Sequence, residues 1–331
     1  MNLESFYLQI DQWTEKGIPY VFIVDFELKN PKLYRLDNIE KESLPISLCF
    51  PHYTFKNNEV IERVNDQSEN ALISIIQPDF DLYKKKFDRT QQLFNKLGVD
   101  VINLTSATQI ELHQSLQAIY NLSSAKYKVY LEDCFVCFSP ETFIRIDSNG
   151  EISSYPMKGT IDALLPNAAD RILNHPKEEE EHRATVNLII EELKQVADHV
   201  KIKRYRYLDK IKTSNNELYQ VSSEVVGQLK GDYKKSYGSL LRKLLPAGSI
   251  TGTPKQKALQ IINEVEEYNR SYYTGVCGVF DGQTLDSCVL IRMIEKVGSA
   301  YFYKSGGGVT KKSKAQDEFE EIKNKIYVSM D

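Results

Sequence analysis

Two short acidic runs have a spacing that could do chemistry. In "KEEEEH" (177–182), Glu178 and Glu181 lie three residues apart at the head of an apolar repeat. At about 100° per residue, Ile189, Leu193, Val196 and Val200 fall on one stripe of a helix. Extended backwards, that stripe takes in Glu178 and has Glu181 at its edge, while Glu179 and Glu180 point away. An acidic helix start is ordinarily solvated and favoured by the macrodipole. Two carboxylates aimed inward are costly unless a cation or hydrogen bonds neutralise them. "DEFEEIKNK" (317–325) repeats the arrangement: Phe319, Ile322 and Ile326 make the packing stripe, and Glu318, Glu321 and Lys325 share the face beside it. Alone, that segment reads as a surface ion-pair helix. Together, two Glu-x-x-Glu helices supply an all-oxygen set suited to Mg²⁺, which takes carboxylates, waters and substrate oxygens.

Four further features could work with such a site. "KSGGGVT" (304–310) has Gly306, Gly307 and Gly308 in a row, so its backbone N–H groups can approach an anion closely. It lacks the dinucleotide and P-loop glycine signatures. Arg292 interrupts the apolar strand "VLIRMIE", either on a wet face or paired with a buried carboxylate. Glu141 in "FSPETF" is a turn residue or a carboxyl positioned after Ser-Pro. Lys158 in "PMKGT" is a solvated loop charge or an amine held on a tight turn before Gly159.

The elements that must position these residues are legible in outline. Strand-like runs at 20–28 and 46–50 precede a helix over 81–99, with Gly98 as its C-cap. Consecutive strands with turns at Ser-Pro and Asn-Gly fill 128–160. A long helix is expected over 177–199, then strands, then a helix near 234–245. Thr253 and Pro254 read as the N-cap and first residue of a helix carrying Ala258, Ile261, Ile262 and Val265. Runs 274–282 and 287–296 pair as a hairpin, 300–308 enters a triple-glycine turn, and Ser313 with Gln316 forms a capping box for the last helix. Sheets with helices outside them make this an α/β (α+β) chain of one domain.

Bulk composition narrows the function. The chain has 331 residues, is 41% hydrophobic and 27% charged, and carries a net charge of −4, which argues against a nucleic-acid surface. "KIKRYRY" (201–207) alternates in the manner of a strand with one wet face. No apolar run approaches the roughly 18 residues of a membrane span, and the N-terminus has no signal-peptide pattern. Five cysteines make no disulfide framework, and Cys134 and Cys137 lack the partners of a zinc site. The expectation is a reduced, cytoplasmic protein.

In this order, "PMKGT", "KEEEEH", "LLPAGSITGTPKQKALQII", "YYTGVCGVFDG", "LDSCVLIRMIE" and "SGGGVTKKSKAQDEFEEIKNKI" resemble the chorismate-utilising enzymes, over about 100–331. The likeness is nearest to their compact aminodeoxychorismate synthase component I branch. It implies two large mixed or antiparallel sheets packed as a sandwich with helices outside. One domain, 1–331, would have a reduced N-terminal portion (1–95) and its catalytic motifs in 96–331. It implies Glu181 and Glu321 as Mg²⁺ ligands, with Glu178 and Glu318 holding waters or lying beside the ion. Arg292, Tyr273 and the backbone of Gly306–Gly308 would bind a substrate carboxylate, with Ser249, Lys325 and Thr160 lining the pocket. Glu141 falls where the family has its general acid, and Lys158 where the aminating branch has a nucleophilic lysine. Such a lysine must be neutral to attack, so burial and local charge are expected to lower its pKa. Ammonia would come from a glutamine amidotransferase partner, because no Cys–His–Glu glutaminase region is present. Other members make anthranilate, isochorismate or salicylate, and a non-catalytic chorismate-binding subunit is a further alternative. The sequence departs from the family at Gln220, where a histidine is common, and within "VNLIIEEL" (186–193), over 187–192, where an Arg-Asn-Asp group is common.

Overall fold

Strand Tyr20–Val24 shows how the layers are built: all five of its residues are buried. Successive side chains point to opposite faces. Tyr20, Phe22 and Val24 join a cluster with helix residues Phe6, Ile10 and Leu240, whereas Val21 and Ile23 pack against Leu48, Val129 and Met293. A strand covered on both faces reads as a continuous apolar run, as "YVFIV" does.

The computed structural model describes residues 1–37, 44–56, 72–76, 78–212 and 217–328. Among the described residues, two sheets of nine strands form a sandwich and every ladder is antiparallel. In the first sheet Glu217–Leu229 carries Ala197–Lys212 on one side, with Met157–Asp162 and Glu151–Ser154 on the other. The sheet continues through Thr142–Ile146, Leu285–Val289, Val276–Phe280 and Tyr20–Val24 to Lys32–Arg35. The second runs from Gly252–Thr253 through Val101–Leu112, Ala300–Thr310, Met293–Val297, Phe135–Ser139, Tyr127–Leu131 and Ile46–Phe50 to Tyr53–Phe55. Strand Ile73–Ile75 also pairs with Val101–Leu112. Helices Leu3–Glu15, Pro176–Lys194 and Tyr237–Leu244 share the first sheet's outer cluster. Helix Leu116–Leu122 packs with Val136, Ile294 and Tyr303 of the second sheet. All five cysteines are free thiols.

The chain passes between the sheets at two places that matter. Strand Phe135–Ser139 belongs to the second sheet and Thr142–Ile146 to the first, so Pro140 and Glu141 form a crossing. Leu285–Val289 and Met293–Val297 are likewise in different sheets, which makes Leu290–Arg292 the other. Arg292 therefore ends a turn, with φ of 55°, and is not inside one continuous strand. The crossings lie together: Val289 N–H donates to Glu141 O at 3.1 Å, and Phe138 N–H to Arg292 O at 2.9 Å.

Other local expectations are corrected. The long helix ends at Lys194, so Val196 lies beyond it and Val200 belongs to a strand. Thr253 pairs in a two-residue strand with Val101, and Pro254 occupies the cap position of helix Lys255–Val265. The last helix, Ala315–Asn324, is capped at Lys314, while the Ser313 hydroxyl accepts from Thr310 N–H. Gly306–Gly308 lie within strand Ala300–Thr310, opposite Thr105, Leu104 and Asn103, and not in a turn. The helix Phe80–Leu97 ends on Gly98 in the left-handed region, as its sequence predicts.

Candidate active site

The crossings open into a cleft of about 570 Å³. Lys158, Glu141, Thr160, Ser249, Tyr273 and Arg292 all line it. So do Gly306, Gly307, Gly308, Lys325 and three of the four paired glutamates, Glu178, Glu181 and Glu321. Glu318 is 2% exposed and sits behind the lining.

Lys158 is aimed by a β-bulge. The pairing of Met157–Asp162 with Glu217–Leu229 slips between Met157 and Thr160, and Gly159 takes φ of 83°. That conformation favours glycine, and the space requires it too: a Cβ on Gly159 would stand 3.0 Å from Glu178 Oε2. Gln220 pins the bulge, donating from Nε2 to Gly159 O at 2.9 Å and accepting from Thr160 Oγ1 at 2.7 Å. The Lys158 amine reaches the glycine strand, 2.9 Å from where a Gly308 Cβ would be.

Glu141 accepts from Ser249 Oγ at 2.6 Å. Burial pushes its carboxyl above the ordinary carboxylate range, opposed by that hydrogen bond and by the charges of Lys158 and Lys325. A carboxyl held toward its protonated form beside a lysine amine can deliver a proton.

One wall of the cleft is formed by Arg292, Tyr273, Lys325 and the glycine strand. Arg292 Nη1 donates to Lys325 O at 3.1 Å, and its guanidinium lies 5.1 Å from the Tyr327 ring centroid. Lys325 Nζ donates to Gly306 O at 2.8 Å and to Glu321 Oε1 at 2.5 Å. Burial lowers the Lys325 pKa, with Glu321 opposing and Arg292 and Lys158 reinforcing the shift. Thr105 N–H donates to Glu266 and Asn103 N–H to Thr251 O, both away from the glycine strand. By antiparallel alternation, the backbones of Gly306 and Gly308 then face the cleft side of that strand.

Helical phase places the acidic pairs as expected: Glu178 and Glu181 are half-buried, Glu179 and Glu180 exposed. His182, next in line, is fully buried with Nε2 2.6 Å from Ser223 Oγ. Burial first, then the charges of Arg206 and Lys158, push it down to about 4, so it is neutral near pH 7. Across the cleft, a Cβ on Gly307 would lie 3.4 Å and 3.5 Å from Glu318 Oε2 and Glu321 Oε1. Among the described residues, no three His, Cys, Asp or Glu side chains converge closely enough to enclose an ion by themselves. The donor set still fits Mg²⁺: carboxylates from two helices face one cleft, and this ion completes its shell with water and substrate oxygens.

Sequence reasoning did not single out Asn103, Ser305 or Lys304, which also line the cleft. Lys304 is buried, ion-paired with Glu295, and donates to Arg270 O at 2.8 Å, which secures the segment carrying Tyr273. Its signal was a lysine inside an apolar strand, two residues before the glycines.

A sequence model of the chorismate binding enzymes matches residues 29–331, and the chain belongs to that family. An uncharacterized PabA-like protein of Haemophilus influenzae is 38% identical over 100% of this chain and 98% of its own. Aminodeoxychorismate synthase component 1 of Escherichia coli is 26% identical over 74% of this chain and 56% of its own. Anthranilate synthase component 1 of Saccharomyces cerevisiae is 29% identical over 70% and 47%. The structure of MenF, the menaquinone-specific isochorismate synthase of Escherichia coli, superposes with a TM-score of 0.72, covering 98% of this chain and 81% of that one at 15% identity. That likeness speaks to the fold. No helix among the described residues is long and apolar enough to cross a membrane.

Proposed function

We propose that this chain converts chorismate and ammonia to 4-amino-4-deoxychorismate, with the ammonia delivered by a glutamine amidotransferase. The observation that carries the reading is the Lys158 bulge, which aims an amine into the cleft lined by Glu141 and the glycine strand. The aminodeoxychorismate synthase relative supports it at the family level.

The substrate's side-chain carboxylate would lie against Arg292, Tyr273 and the backbones of Gly306 and Gly308. Glu181 and Glu321 would hold Mg²⁺, with Glu178 and Glu318 beside it; when bound, the ion neutralises the ring carboxylate. The Lys158 amine attacks C2, the two conjugated ring double bonds shift, and the C4–O bond breaks as Glu141 gives its proton to the departing oxygen, which leaves as water. Ammonia then adds at C4, the two ring double bonds shift back, and the C2–N bond breaks to free the lysine amine. The excess proton on the new C4 nitrogen returns to Glu141. Thr160 and Gln220 hold the bulge throughout.

Lys158→Ala should reduce ammonia-dependent turnover by about 10³-fold or more, while chorismate binding by calorimetry stays within about threefold. Turnover equal to that of the unaltered chain would contradict the covalent role.

A further inference from the structure

Glu192 belongs to the 187–192 stretch that departs from the family pattern, and no step above uses it. It is 6% exposed. One carboxylate oxygen accepts from Lys255 Nζ at 2.9 Å, the other from Gly248 N–H at 3.3 Å. Lys255 opens one helix and also donates to Leu244 O, the last residue of the preceding helix, at 2.7 Å. The pair thus staples both ends of the connecting loop and grips it inside. The fit leaves no room for a side chain: a Cβ on Gly248 would stand 2.7 Å from Glu192 Oε1. The loop's other side is fixed by Arg270 Nη1 on Ile250 O at 2.9 Å and by Asn103 N–H on Thr251 O at 2.8 Å. Between these anchors is Ser249, whose hydroxyl donates to Glu141.

We propose that Glu192, acting with Lys255, is the positioning residue that holds Ser249 against Glu141. The inference rests on reading Glu141 as the proton donor. The energetic logic is that a buried carboxylate gripping a backbone N–H and an ammonium is costly unless both partners stay in place, so the loop has one favoured position. The Ser249 hydrogen bond lowers the Glu141 pKa against the burial that raises it, and Lys158 and Lys325 are the charged groups that also bear on it. Slack in the loop would weaken that bond and let the Glu141 pKa rise.

The test is a ¹³C NMR titration of the glutamate carboxyls in the substrate-free protein, with the Glu141 signal assigned by its loss in Glu141→Gln. Ser249→Ala should move the Glu141 midpoint to higher pH. Glu192→Gln, which keeps the side chain's size, and Lys255→Met should move it the same way. The Ser249→Ala/Glu192→Gln double variant should lie no higher than Ser249→Ala alone. In turnover, Glu192→Gln should lower kcat about tenfold and leave KM within about twofold, a part of what general acid catalysis supplies. The far-UV spectrum identifies a variant that has failed to fold, and either of the two clamp variants suffices. A Glu141 midpoint unchanged in the folded clamp variants would overturn the proposal. The titration needs no substrate, so a chain found to make a different product would leave this result standing and fail only the functional reading.

Discussion

Glu141 and Lys158 are each held by neighbours in an unusual position: one at a crossing between sheets, the other on a bulge. For Glu141 the consequence can be measured. Its folded-state pKa is raised by burial, so the stability it contributes is present at low pH and lost as pH rises through the raised value. Glu141→Gln removes that loss while retaining an acceptor for Ser249. The melting temperature of the variant minus that of the unaltered chain should therefore grow by about 1–3 °C between about pH 5 and pH 8, read by scanning calorimetry. Glu27, Glu192 and Asp286 are also raised by burial, but they are common to both proteins and cancel in the difference. Turnover should fall by about 10²–10⁴-fold. A temperature difference that does not change with pH would contradict the placement of Glu141.

At the scale of elements, the glycine strand separates space needed by the fold from space needed by the site. A Cβ on Gly308 meets the Lys158 Nζ at 2.9 Å, the free end of a flexible side chain. Gly308→Ala should therefore cost under about 1 kcal/mol of stability yet displace the amine and cut turnover at least about tenfold. A Cβ on Gly306 instead meets Leu104 O at 2.9 Å and Thr105 Cγ2 at 2.8 Å on the paired strand. Gly306→Ala should destabilise by about 1–3 kcal/mol. Denaturant unfolding and turnover, measured on both, check the contrast. The sequence made the glycines visible but read them as a turn, because consecutive glycines are rare inside strands. What permits them is the partner strand, which a local pattern does not reveal. The apolar run around Arg292 misled for a similar reason. It reads as one strand because all of it is buried, and only the two sheets' positions reveal that it crosses between them.

Across the whole molecule, periodicity carried most of the legible information. It correctly turned Glu178 and Glu181 inward on their helix and placed the strands of 128–160, since both follow from residue spacing and side-chain burial. It overran at Val196 and Val200, because apolar residues continue at helical intervals after Lys194, where the chain has already entered a strand. The fold implied by the family resemblance is the one found, a sandwich of two sheets with helices outside. Gln220 and Glu192, the departures from the family pattern, both have partners in the structure: one pins the lysine bulge, the other grips the Ser249 loop. The most direct test of the whole account is the product formed from chorismate and an ammonium salt, with Mg²⁺ or with excess chelator, identified by mass spectrometry and proton NMR. The account predicts 4-amino-4-deoxychorismate, with its enolpyruvyl group retained and nitrogen at C4, formed with Mg²⁺ and lost with chelator. Anthranilate, isochorismate, unchanged chorismate or indifference to the chelator would contradict it.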